Sequence, residues 1–232
     1  MFTVRRAEGR GHADHGWLKT WHTFSFADYY DPAHHHFRAL RVINEDIVAP
    51  GQGFDTHPHR DMEIVTWVLE GELAHKDSLG HAATLKPGEV HRITAGTGVL
   101  HSEFNPSKEN RVHLYQIWLQ PDGKGYPPGY EQKAFPREGR TVRWQTVVSG
   151  DGREGSITIR QNAQIYLAEL SAGKTITHSF PGDRHGWLQV LRGRVTVENL
   201  SLQAGDGLAI SEEKELPIQA GTQAELMLFD LP

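Results

Sequence analysis

Histidine is the chemistry-bearing residue of this sequence, with 15 in 232 positions and no cysteine at all. The absence of thiols excludes disulfides, thiolate nucleophiles and Cys-ligated zinc or iron–sulfur sites, so any metal must sit on nitrogen and oxygen. His57-Pro58-His59 places two imidazoles at i and i+2. On a strand both point to one face, with Cα atoms roughly 6.6 Å apart at about 3.3 Å per residue. Ring nitrogens about 2.1 Å from a shared ion converge from that spacing. Pro58 has no N–H, which requires a strand start, an edge or a bulge there. Alone the pair is weak in so histidine-rich a chain. His34-His35-His36 contains another, which follows Asp31-Pro32, has no evident partner ligand and reads as a solvated loop.

The surroundings of His57 and His59 raise them above chance. They stand in Gly51-x5-His57-x-His59-x3-Glu63-x7-Gly71, followed by Gly88-x7-Gly96-x-Gly98-x2-His101-x3-Asn105. His101 supplies a third imidazole, and Glu63 and Glu103 each offer a carboxylate. Positions 57, 59 and 63 share strand parity, and so do 101 and 103. Parity therefore leaves the fourth ligand open between the two glutamates.

The elements that would carry these residues read as strands. Glu63-Ile-Val-Thr-Trp-Val-Leu-Glu-Gly71 with Leu85-Lys-Pro-Gly88-Glu89 is written again as His185-Gly-Trp-Leu-Gln-Val-Leu-Arg-Gly193 with Leu202-Gln-Ala-Gly205-Asp206. Each copy is a β-rich run ending in Val-Leu-x-Gly, a second strand, and a Gly-acid turn into a third. A repeat of this size predicts duplication into two β units. The 24 glycines and 12 prolines suit many short elements joined by tight turns. The fold expected is all-β: a first barrel over 1–120, a Pro- and Gly-rich linker over 121–140, and a second barrel over 141–232. At the offsets that His57, His59, His101 and Glu103 hold from Gly71 and Gly88, the second copy has Ser179, Pro181, Ile218 and Ala220. None is a ligand type. His178 and His185 lie close by without partners, so the second barrel is expected to be structural and to hold no metal.

The two spaced motifs resemble those of the cupin superfamily, which implies jelly-roll-like barrels with a metal at the centre of the first. Two departures leave the ligand spacing intact. Gly71 closes the first motif one residue late, and Gly96 stands where proline is usual, after a gap two residues longer. The resemblance narrows with Gly16-Trp-Leu-Lys-Thr-Trp-His-Thr-Phe-Ser-Phe-Ala-Asp-Tyr-Tyr-Asp-Pro32, Leu40-Arg-Val-Ile-Asn-Glu-Asp46, His57-Pro-His-Arg-Asp-Met-Glu63 and Thr94-Ala-Gly-Thr-Gly-Val-Leu-His-Ser-Glu103. Over most of the first 120 residues the chain is similar to the pirin family, and in particular to bacterial pirins with quercetin 2,3-dioxygenase activity. That resemblance implies His57, His59, His101 and Glu103 as ligands of one divalent ion, with Fe(II) the usual occupant and Zn, Ni, Mn, Co or Cu compatible with the donors. Glu63 then becomes a neighbour that orients the ligands.

The reaction so implied opens the flavonol ring of a quercetin-like substrate with O2 and releases carbon monoxide. The metal acts as Lewis acid on the 3-hydroxyl, and Glu103, or Glu63 with roles reversed, accepts its proton. Phe24, Phe26, Tyr29 and Trp67 are candidates for an apolar pocket, against the plainer reading of core packing. Two other readings share the same ligands: a non-catalytic pirin acting through a protein partner, and other cupin chemistry on a small polar substrate. Composition bounds the partners further. A net charge of −5 without a single-sign block argues against nucleic acid. No apolar run approaches a membrane span, and residues 1–10 lack the apolar core of a signal peptide, so a cytoplasmic location is expected.

Overall fold

Runs of β-branched and aromatic residues punctuated by glycine turns give 22 strands and three single-turn 3-10 helices in the computed structural model, which describes residues 1–232. The chain opens with β1 (Phe2–Arg5), β2 (Gly11–Asp14), β3 (Leu18–His22), β4 (Leu40–Val48), β5 (Gly53–His59) and β6 (Glu63–Glu70). It continues with β7 (Leu73–Asp77), β8 (Ala82–Leu85), β9 (Glu89–Thr94), β10 (Val99–Phe104), β11 (Val112–Leu119) and β12 (Gly129–Ala134). Then come β13 (Gln145–Ser149), β14 (Ile157–Thr158), β15 (Gln164–Leu170), β16 (Thr175–Ser179) and β17 (His185–Arg192). The last are β18 (Arg194–Val197), β19 (Leu200–Gln203), β20 (Gly207–Ile210), β21 (Glu215–Ala220) and β22 (Ala224–Leu231). No helix is long and apolar enough to cross a membrane.

The all-β expectation holds, and the repeat in sequence is a repeat in topology. The N-terminal unit pairs a seven-stranded sheet, β12-β9-β6-β11-β4-β3-β2, with a four-stranded sheet, β5-β10-β7-β8. In the C-terminal unit the order β20-β17-β22-β15 repeats β9-β6-β11-β4, and β16-β21-β18-β19 repeats β5-β10-β7-β8. Each unit is thus a jelly roll of the cupin type, in which the two sheets stay separate and do not close into one ring. Leu18, Val48, Val68, Val112 and Leu114 from the large sheet meet Leu73 and Leu85 from the small one, which closes one end of the N-terminal unit with apolar packing. The other end keeps the polar groups described below.

The units divide the chain differently from the boundaries expected at 120 and 141. One comprises Gly11–Phe135 with Ile159–Gln161; the other comprises Met1–Arg10, Pro136–Thr158 and Asn162–Pro232. β1 pairs with β20 in the C-terminal unit, Phe2 opposite Ile210. β12, inside the segment expected as a linker, pairs with β9, Gly129 opposite Thr94. The reason is the same in both cases. β9 and β20 would otherwise be bare edges with a row of open N–H and C=O groups, and a passing extended segment caps each one. Local composition does not show which open edge an extended segment will find.

The glycines that end the repeated strands are both required. Gly71 has φ +76°, and a Cβ there would lie 2.5 Å from the Arg111 carbonyl; Gly193 has φ +79° with a Cβ 2.0 Å from the Gln223 carbonyl. Gly80 has φ +94° but nothing nearby. Gly80→Ala is therefore expected to cost about 1 kcal/mol for conformation alone, and Gly71→Ala about 3 kcal/mol because backbone must also move. Urea midpoints of the two variants measure the difference.

Candidate metal centre

Convergence begins with strand pairing. β5 is the edge strand of its sheet, which accommodates Pro58. β10 lies antiparallel beside it, with His101 opposite His57 and Val99 opposite His59. The three imidazoles share the inward face, with ring centroids 4.8 Å apart for His57–His59, 4.5 Å for His57–His101 and 4.8 Å for His59–His101. One ligand nitrogen from each lies within 4.8 Å of the others. His57 Nδ1 donates to the Asp55 carbonyl at 2.7 Å, which leaves Nε2 bare and facing the group. His101 is buried with neither ring nitrogen hydrogen-bonded. Burial, with the His57 imidazole adding and Glu103 opposing, holds His59 down to about 4. Burial likewise takes His101 to about 4, against the opposing pull of Glu103. Imidazoles converging on one point, with a ring nitrogen of each free to face it, are the donor arrangement a metal needs. The geometry therefore fits a single divalent ion.

Glu103 joins this group by alternation along β10, two residues beyond His101 and on the same buried face. Against β7 the register of β10 is unbroken, with His101 opposite Asp77 and Glu103 opposite His75. Against β5 a bulge adds one residue on the β5 side, so His57 and Phe54, three apart, face His101 and Glu103, two apart. His75, His101 and Glu103 also offer ligand atoms within 4.8 Å of one another. Gln116 Nε2 donates to Glu103 Oε2 at 2.8 Å, and Trp118 Nε1 donates to Gln116 Oε1 at 3.0 Å. An indole N–H can only donate, so it fixes the amide orientation and obliges Glu103 Oε2 to accept. Burial opposes the charge on Glu103, but contact with His91 and the field of His101 and His75 outweigh it and bring the carboxyl to about 2. His91 Nε2 is 3.4 Å from Glu103 Oε1, an electrostatic contact too long to count as a good hydrogen bond.

Glu63 does not join the histidines. Residues 60–62 leave the small sheet through a bend in which Asp61 has φ +48°, and β6 begins in the large sheet, so the parity of 57 and 59 does not carry across. Within β6 the even positions Ile64 and Val68 face the core, which turns Glu63 to the opposite face. There Thr94 Oγ1 donates to Glu63 Oε2 at 2.9 Å. Burial pushes Glu63 up to about 7 despite Thr94, Arg92 and Arg160. The His34 cluster also stays apart, with His34 Nδ1 on Asp31 Oδ2 at 2.9 Å.

Residues that motif spacing did not mark complete the site. Across the inner face of the large sheet runs a polar row in direct register: His22, Asn44, Gln116, Thr66 and His91. Opposite it, His75 Nε2 bonds Asp77 Oδ2 at 3.0 Å, and Asp77 also takes His81 Nδ1 at 3.0 Å. Tyr130 stacks on His75 at 4.7 Å and on His81 at 5.1 Å. The only signal for these in sequence was alternation of polar residues along β4, β7 and β11, which equally describes a solvent-facing strand. Beside the histidines opens a cavity of about 330 Å³ lined by Leu18, Phe26, Phe54 and Trp118 together with Thr20, His22, Asn44, Asp46 and Gln116. Of the expected aromatic candidates, Phe26 lines it, while Phe24, Tyr29 and Trp67 do not. Asp46 is pushed up to about 7 by burial, against a bond from Thr20 and with the charges of Glu103 and Glu45 adding to the rise.

Comparison with known proteins places this architecture. Residues 2–119 match the family described as Pirin, and residues 146–231 match the one described as Quercetinase C-terminal cupin domain. The chain is 47% identical to quercetin 2,3-dioxygenase of Escherichia coli (strain K12), over 100% of this chain and 99% of that protein. It is 42% identical to a pirin-like protein of Caulobacter vibrioides, over 95% of each. The crystal structure of the bacterial pirin YhhW from Escherichia coli in complex with nickel(II) superposes with a TM-score of 0.95 at 47% identity, covering 100% of this chain and 99% of that one.

The placement of Glu63 makes a prediction with two readouts. A carboxyl raised to about 7 in the folded state and near 4.5 when unfolded favours folding at low pH, and that contribution is lost as pH rises through 7. Glu63→Gln is expected to match the parent at pH 4.5 and to exceed it at pH 8 by on the order of 2 kcal/mol. It should retain metal at the parental stoichiometry. Thermal denaturation at the two pH values and elemental analysis check both parts; loss of metal would place Glu63 among the ligands.

Proposed function

This chain belongs to the pirin family, and on that premise we propose that it is a metal-dependent dioxygenase that opens the flavonol ring of quercetin-like substrates with O2 and releases carbon monoxide. The observation that carries the reading is the convergence of His57, His59 and His101, to which Glu103 is joined through His101, beside a cavity that His57, His59 and Glu103 line. In this reading those four residues hold one divalent ion. The N3O donor set suits Fe(II), and accepts Ni, Zn, Mn, Co or Cu. An ion so held supplies Lewis acidity toward a substrate oxygen.

The chain's own groups do the rest. Glu103, ionised at neutral pH, is the acceptor for the flavonol hydroxyl proton, and Gln116 and Trp118 keep it in the accepting orientation. His57 is held by the Asp55 carbonyl in the tautomer that presents Nε2. Leu18, Phe26, Phe54 and Trp118 give a flat aromatic ligand an apolar bed and exclude water from it. Trp118 packs edge-on against both His59 and Phe26, at 4.9 Å and 5.3 Å, so one ring braces a ligand and shapes the pocket. A cavity of this kind favours a small-molecule substrate over action through a protein partner.

The test is flavonol-dependent O2 consumption with carbon monoxide in the headspace. His101→Ala is expected to lose both metal and turnover. Glu103→Gln should fold and lower kcat by about 10²–10⁴-fold. Undiminished turnover by metal-free His101→Ala would overturn the assignment.

A further inference from the structure

The cavity wall carries polar groups that the reaction above does not use. β4 contributes Asn44 and Asp46, two residues apart on one face and both lining the cavity. They are 3% and 5% exposed, deep enough that each needs a partner. Asn44 lies opposite Gln116 on one side and His22 on the other; Asp46 lies opposite Leu114 and Thr20. His22 Nδ1 donates to Asn44 Oδ1 at 2.8 Å. That bond turns the amide oxygen toward β3 and leaves the two N–H groups of Nδ2 to the cavity. Asp46 accepts from Thr20. A carboxyl with two oxygens retains capacity for a further donor, ionised or not.

Their position relative to the ligands is set by the sheet. Strands in a ladder lie about 4.8 Å apart, which puts Asn44 about 5 Å and His22 about 10 Å across from Gln116, the residue that holds Glu103. A planar molecule with one end at Glu103 and the histidines, lying along the large sheet, therefore sets its outer ring over Asn44 and Asp46. Phe26 and Phe54 line the same cavity. A pocket built for a bare aromatic ring would leave an amide donor and a carboxyl desolvated without partners once the ring is bound. Such a site gains only by meeting hydroxyls, and it then rejects the analogue that lacks them.

We propose that Asn44 and Asp46 are specificity-determining residues that recognise hydroxyl groups on the substrate ring remote from the metal, Asn44 Nδ2 donating to a hydroxyl oxygen and Asp46 accepting from a hydroxyl. The substrate is accordingly an aromatic hydroxylated on its outer ring. The inference rests on the dioxygenase reading for its substrate class.

The experiment uses the full metal-loaded chain and matched flavonols with and without outer-ring hydroxyls, comparing dissociation constants by direct titration and kcat/KM by oxygen uptake. The parent protein is expected to prefer the hydroxylated flavonol by tenfold or more in both. Asn44→Leu and Asp46→Val each compress that ratio, and melting temperatures report whether each variant folds. Should a variant fail to fold, the preference of the parent protein still decides. Equal kcat/KM for both flavonols in the parent, or a ratio unchanged in folded variants, overturns the inference and leaves the dioxygenase reading standing. Preferential binding without turnover overturns the dioxygenase reading and supports Asn44 and Asp46. Binding of neither flavonol overturns both.

Discussion

Everything at the site depends on one ladder, the antiparallel pairing of β5 with β10 that sets His57 against His101. Two stretches more than 40 residues apart in sequence are brought by it to a ring separation of 4.5 Å. A slip of one residue would send a whole set of side chains to the opposite face of the sheet. The apolar packing at the closed end, with Leu73 and Leu85 against Leu114 and Val112, holds the sheets in that register. The geometry of the histidine cluster is a by-product of strand register, and register is a by-product of which face is apolar.

The second requirement is that buried polar groups be answered. Between the sheets of the N-terminal unit lie imidazoles, carboxylates, amides and a threonine hydroxyl, and each would cost about 1–3 kcal/mol left unpaired. Many answer one another: Trp118 orients Gln116, Gln116 holds Glu103, His75 holds Asp77, and Asp77 holds His81. Those left over in this layer are both ring nitrogens of His101 and of His91, one nitrogen of His75, Glu103 Oε1 and Thr66 Oγ1. Unsatisfied polar atoms gathered around His101 and Glu103 mark a place where a ligand is expected.

The C-terminal unit is built on the same plan and spends it differently. Where β5 and β10 set His57 against His101, β16 and β21 set Ile176 against Ile218, in a core continuous with Leu188, Leu216 and Leu228. Its one buried histidine on this face, His178, is tied to Asp230 at 3.1 Å, and Asp230 is also held by Arg184. The duplicated glycines keep the strand ends alike in both units. The interior is polar in one unit and apolar in the other, which a jelly roll tolerates because strand spacing does not depend on inward side chains.

What the residues alone determined was local and periodic. The shared face of His57 and His59, and that of His101 and Glu103, were legible because a strand repeats every two residues, although parity left the fourth ligand open between Glu103 and Glu63. The doubled Val-Leu-x-Gly pattern was legible because a tight turn demands a glycine at positive φ. The exclusion of Glu63 was not legible. It turned on a bend at residues 60–62 that moves the chain from one sheet to the other, and strand parity has no meaning across such a bend. The same holds for β1 and β12, whose partners are open edges far away in sequence. It holds too for Asn44, Asp46, Gln116 and Thr66, which look like any alternating polar positions until pairing shows that their face is the inner one. Which face of a strand is buried is decided by the sheet packed against it, and only the folded chain specifies that.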